Sequence, residues 1–248
     1  MVQKNELQNR IIFGVIAAAI AALAIAQGGY VFFAFVILLS FIISREFDNL
    51  RKDGQLAFLY CAIPLLLSYH PGAALVVVFV AVSMVMVAQY QSKKLYPWLT
   101  ISILYVTVPA VSLIWLRMSD ASWFLWLVLV IIATDIGAYF CGRAFGKHLL
   151  APKISPKKTW EGLAGGAFVA AVVSTAYTEN LAYAPYAILF AALGQASDLT
   201  ESAIKRYFDV KDTGTILPGH GGIMDRTDGF VLTAPLFALM VHAGFLAW

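Results

Sequence analysis

Residues 197–229 read SDLTESAIKRYFDVKDTGTILPGHGGIMDRTDG and concentrate six carboxylates, four cations and a histidine between two apolar stretches. Asp198, Glu201, Ser202 and Lys205 follow at i, i+3, i+4 and i+7, so on a helix they share one face. Two carboxylates there, joined by Asp225 and Asp228, make an oxygen-rich set. Hard cations such as Mg²⁺ take such donors while keeping waters and substrate phosphates as further ligands. Asp198, Glu201, Asp225 and Asp228 are therefore the candidate metal ligands, with Asp198 and Asp225 foremost. A plainer reading of Glu201 is an intrahelical pair with Lys205 in the favoured i to i+4 order. Asp225 and Asp228 at a helix start would also serve as ordinary dipole complements. Lys205, Arg206, Lys211 and Arg226 suit the screening of phosphates. The Pro218-Gly219-His220-Gly221-Gly222 turn offers backbone amides to an anion, and a phosphate contact is expected for His220 rather than a role as base.

A second polar cluster runs from Asp135 through Tyr139, Gly142-Arg143 and Gly146-Lys147 to Ser155-Pro-Lys-Lys-Thr-Trp-Glu-Gly162. Asp135 sits inside an apolar segment. A carboxylate is costly there unless it faces a wet cavity or a polar partner. Gly142 and Gly146 fit either close helix packing or close approach to a ligand. Ser155-Pro156 reads as a helix start, with Ser as N-cap and Pro at the first helical position. Its free N–H groups, with Ser155, Lys157, Lys158 and Thr159, would suit a di- or triphosphate. Lys157 and Lys158 also fit a simple excess of positive charge on one side of a membrane.

The elements that must carry these clusters are membrane helices. The 248 residues are 61% hydrophobic and 12% charged, where a soluble domain carries about 25% charge, and mean hydropathy is +0.80. Apolar segments are expected near 10–26, 29–44, 55–69, 72–91, 97–116, 121–142, 162–178, 182–204 and 229–248, in an all-α integral membrane protein of about nine transmembrane helices. Each span needs roughly 20 apolar residues, so the second and third are short enough to be tilted or partly re-entrant. Strands are not expected, because the runs lack the alternation of a membrane barrel. The first run lacks a cleavage pattern and is expected to be retained. Cys61 and Cys141 lie in apolar runs and read as core thiols.

All but one of the 17 Lys and Arg fall at the N-terminus, 45–54, 92–96, 143–161 and 205–228; Arg117 is the exception. The positive-inside rule then places the N-terminus in the cytoplasm and the C-terminus outside. No linker divides residues 1–248, so a single polytopic membrane domain is expected: N-terminal helices in 1–134, a chemistry-bearing portion in 135–229 and a last helix in 230–248.

Residues 202–228, SAIKRYFDVKDTGTILPGHGGIMDRTD, resemble the signature of the CDP-diacylglycerol synthases, the phosphatidate cytidylyltransferases. Every specified position of Ser-x-apolar-Lys-Arg, Lys-Asp-x-small, apolar-Pro-x-His-Gly-Gly and Asp-Arg-x-Asp is present. Asp135 to Tyr139, Gly142-Arg143 and 155–162 resemble the family as well. The resemblance implies CTP and phosphatidate as substrates, and CDP-diacylglycerol and pyrophosphate as products. It also implies Mg²⁺ with a second, monovalent cation, a homodimer, and a place in the bacterial inner membrane, with no nucleic-acid partner. Asp198 and Asp225 fall where the family's metal-binding aspartates belong. A cation-coupled transporter, with Asp135 and Asp198 as intramembrane coupling sites, is the alternative. A CDP-alcohol phosphotransferase is disfavoured, because its paired Asp-Gly…Ala-Arg…Gly…Asp…Asp run is absent.

Overall fold

The structure, a computed structural model, describes residues 2–52, 61, 65, 83, 86, 97–214 and 221–246. In chain order its helices are α1 (Val2–Gln27), α2 (Gly29–Arg51), α3 (Pro97–Ser119), α4 (Ala121–Phe145) and α5 (Trp160–Thr178). A 3₁₀ turn (Leu181–Tyr183) leads into α6 (Ala184–Tyr207), followed by the one-turn α7 (Met224–Thr227) and α8 (Phe230–His242). Between α4 and α5 lies an antiparallel hairpin, β1 (Leu149–Ala151) and β2 (Ser155–Thr159), pairing Leu149 with Thr159 and Ala151 with Ser155. Two compact units result: Met1–Ser119 with Asp212–Thr227, and Asp120–Lys211 with Asp228–Trp248.

Among the described residues, α2, α3 and α4 are long and apolar enough to cross a membrane, and the protein is a multi-pass membrane protein. The expected segments 55–69 and 72–91 fall almost wholly outside the described residues, as does His220. The second segment is not short: α2 runs 23 residues to Arg51. It continues past Ser44 because its polar end is satisfied inside the protein. Asp48 pairs with Arg51, and Glu46 accepts backbone N–H groups. The last helix is shorter than expected, ending at His242 in a turn where Gly244 has φ +74° and Phe245 N–H returns to Met240 O at 3.1 Å.

In the first unit, Phe47 of α2 meets Tyr105 of α3 edge to face at 5.6 Å. Arg117, at the end of α3, donates from Nε and Nη2 to the Ile25 carbonyl at 3.0 and 2.8 Å. It thereby satisfies a carbonyl that the last turn of α1 leaves open. The connection to α2 turns at Gly28 with φ +66°, where a Cβ would stand 2.6 Å from Arg117 Nη2. The one arginine outside the basic loops is thus a helix cap.

The second unit is held by aromatic stacking and by glycine. Trp126 of α4 stacks on Phe237 of α8 with centroids 4.8 Å apart, and Phe190 of α6 meets both edge-on. Trp126 Nε1 donates to Ser174 Oγ of α5 at 2.9 Å, so the indole is satisfied where it is buried. Helices α4 and α5 approach along Gly137, Gly165 and Gly166. A Cβ on Gly165 would lie 2.3 Å from Cys141, and one on Gly166 2.7 Å from the Thr134 carbonyl. Lipid supplies no hydrophobic drive between helices, so backbone contact of this kind carries the packing. Gly142 and Gly146 belong to the same seam, their added Cβ atoms falling 3.2 and 2.9 Å from Thr159 atoms. Cys61 and Cys141 are free thiols.

Candidate active site

The expected helix start at Ser155-Pro156 is a strand instead. Ser155–Thr159 pairs with β1, and Pro156 is tolerated because a two-stranded hairpin leaves edges whose N–H groups need no partner. The helix begins four residues later, at Trp160. Thr159 is its N-cap, its Oγ1 accepting from Gly162 N–H at 3.1 Å. Glu161 reaches back to Lys147 N–H at 3.1 Å, His148 N–H at 3.2 Å and His148 Nδ1 at 2.6 Å. These donors, the His148 ring first, hold the Glu161 carboxyl down at about 2. A capping network therefore locks the hairpin to α5. Strand β2 carries Ser155, Lys157 and Lys158, and Thr159 ends it as the N-cap of α5.

Lys158 is half-buried and Lys157 exposed. Lys158 Nζ lies 2.6 Å from Asp198 Oδ2 and 3.5 Å from the Gln195 carbonyl. Gln195 Nε2 donates to Asp135 Oδ1 at 3.4 Å. Ser202 Oγ donates to Asp198 Oδ1 at 3.3 Å, as the shared face of α6 requires. Asp228 completes the group at the entrance to α8. Its carbonyl accepts from Ser197 Oγ and its Oδ1 from Gly229 N–H at 2.8 Å. Its carboxyl is pushed up to about 7, first by burial and then by the charges of Asp198 and Asp135, with Gly229 N–H and Lys158 opposing.

Three carboxylates thus crowd one face of the second unit against a single lysine. Within this unit they do not form a cage of three or more metal-ligating side chains. Hard oxygen donors in short supply suit Mg²⁺, which is commonly held by one or two carboxylates together with substrate phosphates. A divalent charge would also relieve the repulsion that raises Asp228.

Glu201 is wholly buried and paired with Lys205 at 2.8 Å. The plainer of its two readings describes its geometry. Arg206 donates to the Ile154 carbonyl at 3.4 Å and the Val210 carbonyl at 3.0 Å, tying the hairpin turn to the end of α6. Lys211 and Arg226 are exposed.

Asp225 lies in the first unit. Its Oδ2 accepts from Thr213 N–H at 3.1 Å, Thr213 Oγ1 at 3.1 Å and Gly222 N–H at 2.8 Å. Beside it stands a residue that sequence reasoning passed over. Glu46 of α2, 1% exposed, accepts from Ile223 N–H at 3.0 Å and Met224 N–H at 2.8 Å, with Thr213 Oγ1 at 3.3 Å. It falls in the basic 45–54 stretch of the sequence, and in the structure it is one of the buried polar residues of α2, with Ser40, Ser44 and Arg51. Gln195 was missed too, although it precedes Asp198 by one helical turn.

Comparison with known proteins identifies the family. Residues 8–243 match the model of the cytidylyltransferase family. A phosphatidate cytidylyltransferase of Brucella suis biovar 1 (strain 1330) is 35% identical over 95% of this chain and 93% of its own length. One from Staphylococcus aureus (strain COL) is 31% identical over 95% of this chain and 99% of its own. One from Bacillus subtilis (strain 168) is 46% identical over 46% of this chain and 45% of its own. Likeness along nearly the whole length makes this protein a member of the phosphatidate cytidylyltransferase family, a membrane nucleotidyltransferase.

Proposed function

We propose that the protein transfers CMP from CTP to phosphatidate at the cytoplasmic face of the bacterial inner membrane. The full-length likeness to phosphatidate cytidylyltransferases supports this most strongly. The carboxylate group around Lys158 supports it independently. A phosphatidate oxygen forms the new bond to the α-phosphorus of CTP, and the bond from that phosphorus to the β-bridging oxygen breaks, releasing pyrophosphate. Phosphatidate is already ionised near neutral pH, so no side chain need act as base.

Both reactants are anions, and their approach is the barrier to overcome. Lys158 meets incoming phosphate by exchanging its contact with Asp198 for one with the nucleotide. Lys157, exposed on β2, adds a second cation, and Ser155 a hydroxyl. Asp198 and Asp228, once Lys158 turns away, are the carboxylates that would hold Mg²⁺, and the ion would supply positive charge against the negative charge that develops in the reaction. Asp225 is proposed as a further ligand, and a second, monovalent cation is part of the reading. Asp135 lies on an apolar helix yet is exposed, which fits a wet opening beside the site. Lys205, Arg206, Lys211, Arg226 and His220 are proposed to steady phosphates, and the protein to work as a homodimer.

The test is purified protein in detergent with labelled CTP and phosphatidate. Label should enter the lipid fraction with equimolar pyrophosphate release, stop on chelation, and resume on adding Mg²⁺. Label confined to the aqueous phase overturns the reaction, and undiminished turnover in chelator overturns the metal's part in it.

A further inference from the structure

Among the described residues in the second half of the signature, 213–214 and 221–225, two carboxylates accept the hydrogen bonds of Thr213 and of the Gly222, Ile223 and Met224 N–H groups. Asp225 gathers Thr213 and Gly222. Glu46 reaches in from α2, 177 residues from Ile223 along the chain. We propose that Glu46 is a positioning residue for the reaction: its buried carboxylate holds Thr213, Ile223 and Met224 in place and with them Asp225. The inference rests on the cytidylyltransferase reading above.

The residue type follows from the donors. Ile223 N–H addresses Oε1, and Met224 N–H addresses Oε2. A carboxyl group has an oxygen for each N–H; a glutamine would turn an NH₂ against one of them. Aspartate is one methylene too short. A neutral residue would avoid the several kcal/mol that burying a carboxylate costs, so the position favours exact placement of the segment over stability. The neighbouring glycines follow as well. A Cβ on Gly214 would have three Glu46 atoms as its nearest neighbours, Oε1 at 2.6 Å, Cδ at 3.0 Å and Cγ at 3.2 Å. One on Gly222 would stand 2.6 Å from Glu46 Oε2 and 2.3 Å from Thr213 Oγ1. Glycine at 214 and 222 is what admits the glutamate. Thr213 links the two acids, its one hydroxyl proton lying within reach of both Glu46 Oε2 and Asp225 Oδ2.

The test combines amide hydrogen exchange with turnover on the full-length protein in detergent. Glu46→Gln is expected to speed exchange at Ile223 and Met224 at least tenfold, leave α4 and α6 unchanged, and slow lipid labelling at least tenfold. Unchanged protection at those two amides overturns the clamp; lost protection with full turnover overturns its role in the reaction. Gly214→Ala guards against a variant that merely folds poorly. Alone it should speed exchange at the same amides at least tenfold, but in a Glu46→Ala background it should add less than twofold. Additive effects would overturn the steric link. If the unaltered protein labels no lipid, the function reading fails, and the exchange measurements still judge the clamp.

Discussion

Lys158 Nζ and Asp198 Oδ2 stand 2.6 Å apart, with the two side chains 16% and 32% exposed. A pair so placed falls between an exposed bridge, worth under about 1 kcal/mol, and a buried one. In the proposed reaction the lysine leaves this partner for a phosphate. Lys158→Ala should therefore lower kcat/KM for CTP by at least a hundredfold. Lys157→Ala, at an exposed position of the strand, should raise the CTP requirement by about tenfold, more than the phosphatidate requirement. Steady-state kinetics with each substrate varied would decide, and equal, small effects would remove β2 from the nucleotide site.

Asp225→Asn should keep the fold while abolishing turnover. The asparagine carbonyl oxygen can still accept from Thr213 and Gly222, so the segment should close. The lost charge should cost at least a hundredfold in kcat. Near-normal turnover with intact amide protection at Gly222 would reject a metal role for this carboxylate.

Asp228 makes stability depend on pH. Its folded pKa of about 7 lies above the ordinary 3.8, so the native state holds this proton more tightly than the unfolded chain. The advantage is full below about pH 4 and is lost as pH rises toward 7. In chelator, the unfolding temperature in detergent should fall across that window from this group. Asp228→Asn should flatten the change, and added Mg²⁺ should restore stability near pH 7. A slope that survives the substitution would assign it to other groups.

The glycine seam predicts loss of stability without loss of chemistry. Gly165→Ala puts a methyl 2.3 Å from Cys141, and overpacking of this kind costs about 1–3 kcal/mol. Cys141→Ala in the same chain should recover part of it. Thermal unfolding of both variants and the pair would show the coupling, and strict additivity would argue against contact between the two positions.

Much of this was legible in the residues alone. Hydropathy marked a membrane protein, and the run from Ser202 to Asp228 marked its family. Helical spacing put Asp198 and Ser202 together, and Glu201 with Lys205, because neighbours at i+4 meet whatever the rest of the chain does. Local signals misled where two local structures compete. Ser155-Pro156 has the chemistry of a helix start, but pairing with Leu149–Ala151 makes it a strand and moves the cap to Thr159. Nor does periodicity relate distant residues. That Gln195 addresses Asp135, that Arg117 caps α1 and that Glu46 accepts from Ile223 and Met224 N–H follow only once the helices are packed. Residue type and spacing determined which groups this protein has to work with. Packing decided which of them meet, because a buried charge settles on whichever donors the fold brings within about 3 Å of it.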